Sequence, residues 1–170
     1  MHPMVKSLIR QVPPPSALNS QSGSWHDVEA KLGMALPDDY KSIIEIYGDY
    51  YWDKFLYLLN PFSPHENLNL FTQLGDMNST LWAERVSRQN FPEHYPLPLY
   101  PEPGGLLPLL ITDNGDTGFW ITQCQPDKWP ILLKGARAPE FEVHFFSTAL
   151  FLLQFSGYKL RSLIFPEPSE

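Results

Sequence analysis

Few residues of this chain are placed to do chemistry, and their spacing narrows what that chemistry is. The 5 histidines are His2, His26, His65, His94 and His144, and no two stand at a metal-ligand spacing such as H-x-x-x-H. Each reads as a surface histidine. His26 sits beside Asp27, and His144 is expected on the outer face of a strand beside Glu142, within pairing reach of it. The 1 cysteine, Cys124, cannot form an intramolecular disulfide or a thiolate metal cluster. It lies where a strand runs into a turn, without the helix N-terminus or basic neighbours that lower a thiol pKa. It therefore reads as a passive thiol rather than a nucleophile. The chain has no G-x-S-x-G and no P-loop, and Gly104-Gly105 leads into Leu106-Leu107-Pro108 rather than into a helix, so no phosphate cradle is expected. No catalytic residue, metal or cofactor is expected, and the chain does not read as an enzyme.

Two other groups suit contact rather than catalysis. Asp113-Asn114-Gly115-Asp116 resembles part of a calcium loop but lacks the further ligands and the closing Glu. Its Asn-Gly pair predicts a type I′ hairpin turn, because both central positions need positive φ. Asp113 and Asp116 would then project from the hairpin tip, open to a basic partner. The second group is Tyr47, Tyr50, Tyr51 and Trp52, flanked by Asp49 and Asp53. Two readings stand for it: the rings fold back onto the core, or they stay exposed and make a protein-binding hot spot. The candidate partner-binding residues are Tyr50, Tyr51, Trp52, Asp53, Asp113 and Asp116.

The elements that must position these residues follow from periodicity. Residues 1–23 read as a flexible lead-in: Val5, Leu8, Ile9 and Val12 make at most one amphipathic turn before Pro13-Pro14-Pro15. A single domain is expected over residues 24–170. Ser24 caps a first helix carrying Trp25, Val28 and Leu32, with Gly33 at its C-terminal end. Leu36-Pro37 opens a second, with Tyr40, Ile43, Ile44 and Tyr47 on one face. Residues 54–59 read as a strand ended by Asn60-Pro61. Asn67–Gln89 reads as a longer helical stretch broken near Gly75-Asp76. Phe91–Gly105, rich in proline, reads as extended loop. The period then changes to strands: Leu109–Thr112, Thr117–Thr122, Pro130–Lys134 and Glu140–Phe146. In the last, Phe141, Val143 and Phe145 are assigned to the core face. Ser147 caps an apolar helix, Thr148 to Ser156, closed by Gly157, and Tyr158–Glu170 reads as a tail. Segregated helices and hairpins give α+β, mainly an antiparallel sheet with a meander in the C-terminal half, flanked by N-terminal, central and C-terminal helices.

Composition sets the outer bounds. The chain has 170 residues, 14% of them aromatic and 18% charged, with 18 prolines, which excludes a coiled coil and wholesale disorder. Twelve Lys+Arg against 19 Asp+Glu give a net charge of -7, which disfavours nucleic acid as a partner. Such a surface favours encounter with a basic partner, but on charge alone it reads as ordinary solubility. No apolar run reaches the ~20 residues of a membrane helix, and the start has no signal-peptide pattern. With one cysteine, the expectation is a cytoplasmic protein with no membrane partner, monomeric or weakly dimeric.

A resemblance adds to this reading. Trp25, Val28-Glu29, Leu32-Gly33, Leu36-Pro37-Asp38-Asp39-Tyr40-Lys41 and Tyr47-Gly48 resemble the N-terminal signature of the SUKH superfamily. That family holds fungal cell-wall synthesis regulators and bacterial immunity proteins. Pro101 through Pro108, Thr112 through Asp116, Trp120, Pro126 through Pro130 and the helix at Phe146–Phe155 follow the family's order, so the likeness spans about residues 24–157. The chain has Tyr47-Gly48-Asp49 where Tyr-Asn-Gly is common. The resemblance implies an α+β fold and a cytoplasmic immunity protein that binds and neutralises a toxin, often a nuclease. A regulatory or scaffolding module is the alternative, as the fungal relatives suggest.

Overall fold

The computed structural model describes residues 1–16, 23–137 and 140–166. Among these residues five α-helices, α1 (Pro3–Gln11), α2 (Trp25–Leu32), α3 (Asp38–Tyr47), α4 (Thr80–Asn90) and α5 (Thr148–Ser156), accompany five strands. These are β1 (Leu56–Leu58), β2 (Leu106–Thr112), β3 (Thr117–Ile121), β4 (Ile131–Lys134) and β5 (Phe141–His144). The strands form one antiparallel sheet in the order β1-β2-β3-β4-β5. The architecture is α+β. No helix among the described residues is long and apolar enough to cross a membrane.

The local signals for the helices act as their chemistry requires. Ser24 Oγ accepts the Asp27 N–H at 3.2 Å, and Gly33 ends α2 in the left-handed region at φ 77°. Tyr40, Ile43, Ile44 and Tyr47 are all buried along one face of α3. Ser147 Oγ accepts the Leu150 N–H at the start of α5. The helical stretch expected over Asn67–Gln89 is instead two 3₁₀ turns, Glu66–Leu68 and Thr72–Leu74, followed by α4. The break falls at Gly75–Asn78, where Asn78 takes φ 55° and Ser79 begins a new helix by accepting the Trp82 N–H.

The sheet is covered on both faces. α1, α3 and α5 pack together over one face, with Leu56, Leu58, Leu107, Trp120, Ile131 and Leu133 beneath them. α4 and the segment around Leu97–Leu99 cover the other, against Leu106, Phe119, Ile121 and Leu132. Gly105 allows a close crossing there: a Cβ on it would lie 2.5 Å from the backbone of Leu99 and Tyr100.

Three expectations need correction. The lead-in is not loose over Pro3–Gln11, because Val5 and Leu8 are fully buried against α5 and Gln11 Nε2 donates to the Leu153 carbonyl and to Ser156. Residues 17–22 lie outside the described residues. The hairpin at Asp113–Asp116 is not type I′. Only Gly115 has positive φ, at 82°, and the Gly115 N–H reaches the Thr112 carbonyl, as in a type I turn closed by a glycine bulge. Both central residues take positive φ at Asp53 (49°) and Lys54 (51°), in the turn from Trp52 to Phe55.

The third correction concerns β5, whose faces are reversed. Phe141 pairs with Lys134 and Val143 with Leu132, which puts them on the α4 face. Glu142 and His144 point instead to the α5 face, at 18% and 11% side-chain exposure. They are buried because they have partners. Glu142 Oε1 accepts Ser162 Oγ–H and the Leu163 and Ile164 N–H groups, and Oε2 lies 2.9 Å from His144 Nε2. This carboxylate clasps the segment after α5, whose Leu160 and Phe165 are buried in the core. The segment over residues 160–165 is therefore a strap rather than a loose tail.

Burial acts to raise the Glu142 pKa, but the donors from His144, Ser162 and the strap outweigh it and hold it below the ordinary 4.5. A carboxylate depressed on folding contributes stability that is full above the unfolded pKa and lost as pH falls through the lower folded value. Glu142→Gln is expected to cost about 1–2 kcal/mol and to reduce amide-exchange protection at Leu163 and Ile164. It should also flatten part of the acid side of the stability curve. Parallel acid limbs for the two proteins would reject the clasp.

Candidate functional site

The six residues expected to bind a partner separate into two environments. Trp52 is core, 1% exposed, with its ring centroid 4.7 Å from Tyr47 and 4.8 Å from Tyr50. Tyr50 is half-buried beside it. Asp116 is also buried: its Oδ1 accepts the Ala136 N–H at 3.0 Å and its Oδ2 accepts Thr112 Oγ1–H. It braces the β2–β3 turn against the β4–β5 turn, with its carboxylate turned into the protein rather than projecting from the hairpin tip.

Tyr51, Asp53 and Asp113 remain on the surface and are brought to one corner of the sheet. Tyr51 stacks on Tyr57 of β1 with centroids 4.6 Å apart and planes at 21°. Its hydroxyl donates to Asp113, which follows β2 opposite Phe55. That hydrogen bond, with some burial, pushes the Tyr51 pKa up to about 12. Asp53 projects from the adjoining turn and accepts Tyr158 O–H at 3.3 Å. The corner thus combines two exposed carboxylates with tyrosines held in fixed orientation, a composition suited to a desolvated contact.

A second site escapes sequence reasoning. α4, the Phe91–Tyr95 segment and the ends of β3 and β4 enclose a cleft of about 560 Å³. Lys134 Nζ lies 2.5 Å from Glu84 Oε2 and donates also to Tyr95, whose hydroxyl donates to the same carboxylate oxygen. The ammonium stands 4.8 Å from the Tyr95 ring centroid. Burial works against the Lys134 charge, but Glu84 and Tyr95 outweigh it and the pKa is raised. Burial, with Glu84, also raises Tyr95. Lys134 stays an ammonium and Tyr95 a phenol near neutral pH, so the cluster supplies fixed donors and charge rather than proton exchange. Glu84, Tyr95 and Lys134 come from a helix, a loop and a strand, and no spacing in the sequence links them.

The remaining candidates stay apart. Cys124 is exposed, takes φ 68° and lends only its carbonyl to Trp129 Nε1. His26 and His94 lie 3.7 Å from their sequence neighbours Asp27 and Glu93 on the surface. No group of 3 or more His, Cys, Asp or Glu among the described residues is arranged to hold a metal ion. A scan of protein-family models finds no match to this chain, and comparisons with curated proteins and with solved structures return none.

Proposed function

We propose that the protein is a partner-binding protein of the toxin-immunity kind, which neutralises a basic toxin by covering its working surface. The observation that carries this reading is the corner where Tyr51, Asp53 and Asp113 stand exposed together, tied to Tyr57 and Tyr158. Fixed aromatic and acidic groups lose little side-chain freedom on binding. The net charge of -7 would speed encounter with a cationic cleft, as on a nuclease. The resemblance to the SUKH superfamily points the same way. A regulatory or scaffolding role is the second reading, favoured by the cleft around Lys134, whose volume lies within the ~300–1,000 Å³ of small-ligand sites.

The test is co-expression with the product of a toxin-like reading frame adjoining the gene. Protection of the cells and co-elution of a complex are expected. Equal killing with and without this protein, and no complex, would reject the immunity reading. Within a complex, Asp53→Lys with Asp113→Lys should slow association several-fold at low salt, because charge steering acts on the on-rate. An unchanged on-rate would remove this corner from the interface.

A further inference from the structure

β5 is an edge strand of the sheet. The Ile121 N–H donates to the Pro130 carbonyl at 3.0 Å, so residues 121 and 130 form a hydrogen-bonded pair. Alternation along the antiparallel ladder then turns Ile131 and Leu133 towards β5, where they meet His144 and Glu142. The backbone groups of Glu142 and His144 are spent on β4. Those of Phe141, Val143 and Phe145 face outward, and no strand among the described residues pairs with them. The side chains there are unusually apolar for an edge: Phe145 is 84% exposed and Val143 39%. The segment carries no lysine, proline or bulge; its guards are its short length and the inward-facing Glu142.

We infer that β5 pairs antiparallel with β5 of a second copy about a two-fold axis at Val143, joining two sheets into one. The sequence Phe141-Glu142-Val143-His144-Phe145 is a palindrome in chemical type. In this register Phe141 faces the partner's Phe145, Val143 faces the partner's Val143, and Glu142 faces the partner's His144. The apolar pairs share the α4 face and the Glu–His pairs the α5 face. Each acid meets a base, and the outward backbone groups find partners. Moving the axis to Glu142 would set two carboxylates against each other, and moving it to His144 would pair two imidazoles. Only the axis at Val143 sets an acid against a base. A seam this short buries little area, so the dimer is reversible and concentration-dependent. It lies at the edge opposite β1 and leaves the Tyr51–Asp113 corner free.

Sedimentation velocity over a concentration series tests the seam. The wild-type chain should move from the mass of one copy towards two. Val143→Pro removes an outward N–H that the β4 ladder does not use, so the fold persists and association should weaken about tenfold or more. Val143→Lys sets two charges together at the axis and should do the same, with circular dichroism confirming that both variants fold. Cysteines fix the register. With Cys124→Ser as background, Val143→Cys should oxidise to a covalent dimer, because facing Cα atoms ~5.5 Å apart suit a disulfide. Phe141→Cys alone should not. A wild-type chain that stays monomeric at every concentration would overturn the inference. So would a dimer unaffected by Val143→Pro, equal cross-linking at 141 and 143, or a monomer whose β5 edge takes up a strand of a different protein.

Discussion

Trp52→Ala is expected to destabilise the protein by about 3–5 kcal/mol, while Tyr51→Ala, one residue away, costs less than about 1 kcal/mol. The difference comes from where the rings go. Trp52 is 1% exposed and sits between Tyr47 of α3 and Tyr50, so truncation leaves a cavity that the two remaining rings cannot close. The backbone hydrogen bonds that Trp52 exchanges with Leu56 survive in the variant, so the loss is one of packing. Tyr51 lies on the surface over Tyr57, and its loss removes one stacked pair and one hydrogen bond to Asp113. Chemical denaturation of the two variants, with the slope checked for constancy, separates them. A Trp52→Ala midpoint within about 1 kcal/mol of wild type would place that ring outside the core. Under the proposed function, Tyr51→Ala should weaken partner binding while leaving the fold intact.

What could be read in advance depended on whether the determining interactions are local. The caps at Ser24 and Ser147 and the apolar spacing of α3 are local, and they stand in the structure as the sequence implies. The sheet was legible as a run of short strands because its period is two. Which face of β5 is buried was not legible. Glu142 and His144 go inside because Ser162, Leu163 and Ile164 come back from beyond α5 to donate to the carboxylate, a contact across some twenty residues. The same cause hid the fate of Asp116, whose acceptor role depends on the β4–β5 turn arriving beside it. The turn at Asn114-Gly115 departs from type I′ for a related reason, and the paired positive φ values fall instead at Asp53-Lys54. The bulge at Gly115 accommodates the Asp116 brace, whereas Asp53-Lys54 is held at positive φ by Trp52 buried on one side and Leu56 paired on the other. The cleft around Lys134 was invisible because its groups converge only after the sheet and α4 have packed.

Asp39→Ala is expected to cost about 3–4 kcal/mol, against no more than about 0.5 kcal/mol for Asp38→Ala, its neighbour in the same pair of acids. Both acids suit the positive end of α3. Only Asp39 joins two elements. It is 3% exposed, its Oδ1 accepts the Tyr40 N–H at 2.8 Å, and its Oδ2 accepts the Ala149 N–H at 2.8 Å. One carboxylate therefore serves the first turns of α3 and α5, where both helix dipoles favour it. Replacing it by alanine leaves two donors without an acceptor, and Ala149 is fully buried, so water cannot restore the bond cheaply. Asp38 is exposed and faces only Lys41 at 3.5 Å, an ion pair worth little in water. Asp39→Asn retains a single acceptor oxygen and turns an NH₂ towards the second donor, so it should recover less than half of the loss. Equal shifts in midpoint for Asp38→Ala and Asp39→Ala would mean that the carboxylate does not tie α3 to α5.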